Sequence, residues 1–174
     1  MRKITLLVIA MLIFVSCTKD VDFNQANDIQ ISPAVELSLI YTQAYASNFL
    51  VNGVEVATTE TDFIEVDIFN DQFINDNVTK VDLHFETENT LPREFLFNVN
   101  FYSETGAYLH TYSFTTQEES PHIATFEDNN LNIIKNTNIL EFTITLLSGE
   151  PLTEDTPGSI SLQSKAIFYF NIES

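Results

Sequence analysis

The sequence predicts an all-β protein: an antiparallel β-sandwich, immunoglobulin-like or jelly-roll with Greek-key connections, following an apolar N-terminal segment. Three observations lead to the sandwich. Short runs rich in Val, Ile, Thr, Phe and Tyr alternate apolar and polar residues, the period of a strand with one face in a core. Asn, Asp, Gly and Pro bound these runs, as turns require. No long helical period follows Cys17, so nothing is available to cross over between parallel strands.

Taken in order, the first strand is expected over residues 35–43, with a short piece over 47–51 and a further strand over 62–69. Residues 70–77, NDQFINDN, read as one helical turn capped by Asn70, with Phe73 and Ile74 tucked inward. Val81, Leu83 and Phe85 alternate with Asp82, His84 and Glu86 in the next strand. Residues 93–102 and 108–115 flank a loop containing Gly106 and make a hairpin. Residues 131–135 form a second helical turn. Then Leu140, Phe142, Ile144 and Leu146 alternate with Glu141, Thr143 and Thr145 in a long strand. A turn-rich loop, 149–159, leads into the last strand, where Ile160, Leu162, Ala166, Phe168, Phe170 and Ile172 mark the inner face. A small outer-membrane barrel is disfavoured, because Asp82, Glu86, Glu141 and Lys165 stand at mid-strand positions that would face lipid.

The export segment is residues 1–17, MRKITLLVIAMLIFVSC. Arg2 and Lys3 precede an apolar run that polar residues end at Thr18. That is the order of a secretory signal, and the run is shorter than the ~20 residues a membrane span needs. Phe14-Val15-Ser16-Cys17 resembles the lipobox of bacterial lipoproteins. The resemblance implies cleavage before Cys17, a diacylglycerol on its thiol and acylation of its new amine. One acyl chain binds a membrane only marginally, so two or three are required to hold a soluble body firmly. The expected organisation is a signal peptide (1–16), a lipidated Cys17 with an acidic flexible tether (17–30), and one β-sandwich domain (31–174).

Loss of residues 1–16 takes the net charge from −18 to −20 and leaves five basic residues. Nucleic acid is therefore excluded as a partner, since its binding depends on Lys and Arg neutralising phosphates. Membrane contact is expected through the lipid on Cys17 alone. Cys17 is the sole cysteine, so the body carries no disulfide.

Few side chains announce chemistry. Asp67, Asp71 and Asp76, interleaved with Asn70, Asn75 and Asn77, are hard oxygen ligands of the kind calcium takes, yet the ordered spacing of a calcium loop is missing. They read as turn residues, and no metal or other cofactor is expected. Glu127 to Asn130 read the same way. His84, His110 and His122 lack metal-ligand spacing and are expected to face solvent. G-x-S-x-G is absent, so no catalytic residue is assigned and the protein is not expected to be an enzyme. Tyr102, Tyr108, Tyr112 and Tyr169 lie on strands, and an outward patch of their rings would make an accessory glycan-capture surface. Carboxylates converging in a deep cleft would instead make a hydrolase whose site the fold assembles.

Cys17-Thr18-Lys19-Asp20-Val21-Asp22, followed by a Gly-poor, Phe- and Asn-rich β domain ending Gln163-Ser164-Lys165-Ala166-Ile167-Phe168-Tyr169-Phe170, resembles the uncharacterised lipoproteins of the Bacteroidota, flavobacterial in type. Lys19, Asp20 and Asp22 resemble the group's signal for transfer to the outer face of the outer membrane, with Val21 interrupting the acidic pair. The resemblance implies lipoprotein export machinery as a partner and surface exposure rather than a periplasmic location. It carries over no functional residue. The expected role is a binding, adhesion or structural module whose protein or glycan ligand is unknown.

Overall fold

Eight strands pair into two four-stranded antiparallel sheets in a computed structural model that describes residues 30–173 apart from 57, 58 and 119. Cys17, Lys19, Asp20 and Asp22 lie outside the described residues. The strands are β1 (Ala34–Tyr45), β2 (Thr59–Glu65), β3 (Val78–Asn89), β4 (Arg93–Tyr102), β5 (Tyr108–Thr115), β6 (His122–Glu127), β7 (Ile139–Gly149) and β8 (Ser159–Phe170). One sheet has the order β2-β7-β4-β5 and the other β1-β8-β3-β6. Sequential strands alternate between the sheets except at β4-β5, which is the double Greek key of a jelly roll and excludes the immunoglobulin order. All of this lies in the compact unit Ile31–Ile172.

Alternation in sequence becomes the core directly. Phe95, Phe97, Val99 and Phe101 of β4 and Leu140, Phe142 and Ile144 of β7 point inward from one sheet, and Val81, Leu83 and Phe85 of β3 with Leu162, Ala166 and Phe168 of β8 from the other; all are buried. Aromatic rings join the sheets. Phe101 meets Phe126 at 5.3 Å between centroids, and Phe85 stacks on Phe114 at 5.5 Å. Such pairs contribute about 0.5–1.5 kcal/mol beyond the area they bury.

Strand β1 is an edge of its sheet, twelve residues long and pairing only with β8. Its register slips between Gln163 and Lys165, so Leu39 and Ile40 together oppose Ser164. The buried Ser164 hydroxyl accepts the Ile40 amide at 3.3 Å, completing a bulge. A bulge of this kind twists an edge away from further strand pairing.

Because strands alternate in direction, the sandwich has two distinct ends. Segments 66–77, 103–107 and 128–138 share one end with the start of β1. Segments 46–56, 90–92, 116–118, 120–121 and 150–158 make the other. At that far end Asn52 and Gly53, with φ of 54° and 74°, turn a hairpin between Leu50–Val51 and Val54–Glu55. Both φ angles are positive, as a type I′ turn demands.

Four expectations need correction. The strand read over 62–69 ends at Glu65: the Val66 amide bonds to Asn138 O at 2.8 Å and Asp67–Asn70 coil into a 3-10 turn. Residues 46–49 are likewise a 3-10 turn before the short hairpin. The helical turn that follows is α1 (Gln72–Asn77), capped by Asp71 rather than Asn70, with Asp71 Oδ1 accepting the Ile74 amide at 3.1 Å. Phe73 is exposed instead of tucked in. The second turn, α2 (Leu131–Lys135), has the expected bounds and buries Leu131 and Ile134.

Candidate functional site

Of the aspartates singled out for metal chemistry, one has another role. Asp71 caps α1. The described residues contain no group of three or more His, Cys, Asp or Glu placed to share a metal ion, so Asp67, Asp71 and Asp76 do not converge. Among the carboxylates, Glu86 and Glu88 share the outer face of β3, where both line an open cleft with Tyr41, Ser161 and Gln163. Both are exposed, two residues apart on one strand.

The histidines depart from expectation. His84 lies on the outer face of β3, but His110 packs against Phe101 and Phe126 at 5.6 and 6.0 Å, and His122 is buried. His122 stacks on Phe114 at 4.2 Å, and its Nε2 is buried with no hydrogen-bond partner. Burial pushes its imidazole below the usual histidine pKa, and the Glu118 carboxylate, 3.8 Å from Nδ1, opposes this only in part. A depressed pKa means the unfolded chain takes up this proton first. The stability due to neutral His122 is therefore whole above about pH 6.5 and is lost as pH falls through the folded-state value. Thermal melts between pH 7.5 and 5 should show a falling midpoint for the wild type and a smaller fall for His122→Phe, which keeps the stacked ring. An equal fall in both would contradict the assignment.

The tyrosines divide. Tyr112 turns into the gap between the sheets, its hydroxyl donating to Ile123 O at 3.1 Å. Tyr169 faces outward beneath the Lys80 ammonium, 5.0 Å from the ring centroid. Tyr102 and Tyr108 meet edge to face at 6.1 Å on the outer side of the β2-β7-β4-β5 sheet. Tyr41 and Tyr45, which sequence reasoning had not singled out, are exposed on the opposite sheet.

The outer face holding Tyr102 and Tyr108 carries the most organised polar arrangement of the described residues. Pairing register places Phe63, Glu141, Asn100 and Thr111 in one row across β2, β7, β4 and β5. The neighbouring row contains Thr61, Thr143, Asn98 and Ser113. Hydrogen bonds run through them in sequence. The Tyr108 hydroxyl donates to Thr111 Oγ1 at 3.0 Å, and Thr111 donates to Asn100 Oδ1. Asn100 Nδ2 donates to Glu141 Oε2 at 2.8 Å, and the Tyr102 hydroxyl reaches the same oxygen at 3.1 Å. Ser113 donates to Asn98 Oδ1 at 2.7 Å.

Of the titratable groups in this network, Tyr102 is shifted. Burial, together with the hydrogen bond to and charge of Glu141, raises the Tyr102 pKa above the usual phenol value, so its hydroxyl remains a donor at neutral pH. The face offers fixed acceptors and donors beside aromatic surface. No single residue in it forms a motif; the signal in the sequence is only that polar positions of several strands carry Asn, Thr, Tyr and Glu instead of Lys.

A second concavity, about 650 Å³, lies at the end where β1 begins, lined by Val35, Phe73, Ile74 and Phe170 with Asp67 and Asp71 at its margin. It is apolar and lacks a comparable set of oriented polar groups.

No protein-family model and no curated protein matches the sequence. Among solved structures, the fold is similar to one of desmodium yellow mottle tymovirus, with TM-score 0.37 and 11% identity over 84% of this chain and 90% of that one. It is similar also to the infectious bursal disease virus VP2 subviral particle, with TM-score 0.38 and 9% identity over 82% of this chain and 38% of that one.

Proposed function

We propose that the protein is a lipid-anchored outer-membrane lipoprotein, held through Cys17 and displayed at the cell surface, whose jelly-roll body serves as a binding module. The observation that carries the binding role is the fixed row Glu141-Asn100-Thr111, oriented by Tyr102 and Tyr108 on an open sheet face. Glu141, Asn100, Thr111 and Tyr102 are half-buried on the sheet face, and their hydrogen bonds hold each polar group in a set orientation. The anchor rests on Cys17 at the close of the apolar run, with Lys19, Asp20 and Asp22 behind it to engage lipoprotein export machinery.

Cells given an alkyne fatty acid should label the wild-type protein and carry it in the membrane fraction. Cys17→Ala should lose both the label and the fractionation. Equal labelling of the variant would overturn the anchor.

A further inference from the structure

We propose that the outer face of the β2-β7-β4-β5 sheet binds a neutral glycan laid across the strands, an assignment that rests on the reading of the body as a binding module and names its ligand class. Phe63 on β2 is 67% exposed and Tyr108 on β5 is 61% exposed. These strands are opposite edges of one sheet, three interstrand spacings or about 14 Å apart. Each ring offers a flat apolar surface to the C–H face of a pyranose, and the hydroxyl of Tyr108 is already directed into the polar row.

Between the rings stands Glu141. Its Oε2 is occupied by Asn100 and Tyr102, while Oε1 has no hydrogen-bond partner among the described residues and is open to sugar hydroxyls. A carboxylate held from two sides has little freedom left to lose on binding, which lowers the cost of association. Hydrogen bonds to a charged acceptor are also stronger than neutral ones.

The charge pattern selects a neutral ligand. The described cationic residues are Lys80, Arg93, Lys135 and Lys165. Lys80 and Lys165 lie on the other sheet and bond to Asp82 and Glu36; Lys135 sits in α2 and bonds to Asn75 O. Arg93, at the very start of β4, pairs with Glu55 at 3.0 Å. The row itself contains no cation, so a uronate, sulfate or phosphate would meet Glu141 without compensation. A protein partner fits less well. Protein interfaces place an apolar core inside a polar rim, whereas this row has its polar groups central and its open rings at the two edges.

Full-length lipidated protein in mild detergent, run through native gels containing laminarin, xyloglucan, glycogen or polygalacturonate, tests the assignment. At least one of the three neutral polysaccharides should retard it, and polygalacturonate should not. Phe63→Ala, Tyr108→Ala and Glu141→Gln should each weaken that retardation about tenfold, equivalent to about 1.4 kcal/mol, with circular dichroism melts showing each variant folded. Retardation by none of the neutral polymers, preference for polygalacturonate, or equal retardation of all three folded variants would overturn it. Cys17→Ala protein separates this proposal from the anchor: it should lose the fatty-acid label and keep its retardation, while Tyr108→Ala should keep the label and show the weakened retardation.

Discussion

Phe85→Ala should destabilise the fold by about 3–5 kcal/mol, the range found when a buried Phe is truncated and its cavity only partly collapses. Phe85 projects from β3 and is fully buried. Its ring meets three others from the facing sheet: Tyr112 at 5.7 Å, Phe114 at 5.5 Å and Phe142 at 6.4 Å. It is therefore a point where the two layers interlock, and removing it takes contacts from both. For a body of this size the melting midpoint should fall by on the order of ten degrees. Phe63→Ala is the matched control, because the Phe63 ring is mostly in water; such surface changes usually stay within about 0.5 kcal/mol. Urea unfolding followed by circular dichroism measures both. A loss for Phe85→Ala no larger than that for Phe63→Ala would contradict the packing of the two sheets about this ring.

The layered fold was legible wherever strand phase and hydropathy agree. In β7, Leu140, Phe142 and Ile144 are buried while Glu141, Thr143 and Thr145 remain partly open, as their alternation requires. The hairpin of β4 and β5 has the bounds that its apolar runs and Gly106 imply. Strand β6 was missed because its inward positions are His122, Ala124 and Phe126, only one of them strongly apolar, while Ile123 on the outside is 45% exposed. The same phase turns His122 into the core against expectation. The Asn52-Gly53 hairpin was passed over because its strands are two residues each, too short to show a period. Strand order also escaped local pattern: immunoglobulin-like and jelly-roll sandwiches share the same alternation, and the choice lies in which distant strands pair.

The candidate face was the least legible feature. Phe63, Asn100, Thr111 and Glu141 come from four strands and become neighbours only through register. Nothing local distinguishes Glu141 from other strand glutamates, or Asn100 from Asn98. Conversely, the acidic stretch around Asp67 to Asn77, conspicuous in sequence, supplies a helix cap at Asp71 rather than a cluster of ligands. The proposed anchor belongs to a different kind of reading, since it rests on what surrounds Cys17 in the chain and not on any folded neighbourhood.

Surface display is the part of the proposal that fixes where the body meets its ligand, and accessibility on intact cells tests it most directly. Proteinase K added to intact cells should remove the wild-type body, while the combined variant Lys19→Ala, Asp20→Ala and Asp22→Ala should remain protected until the outer membrane is opened. Protection of the wild type in intact cells, with digestion only after that membrane is breached, would contradict surface display and leave the sheet face turned toward the periplasm.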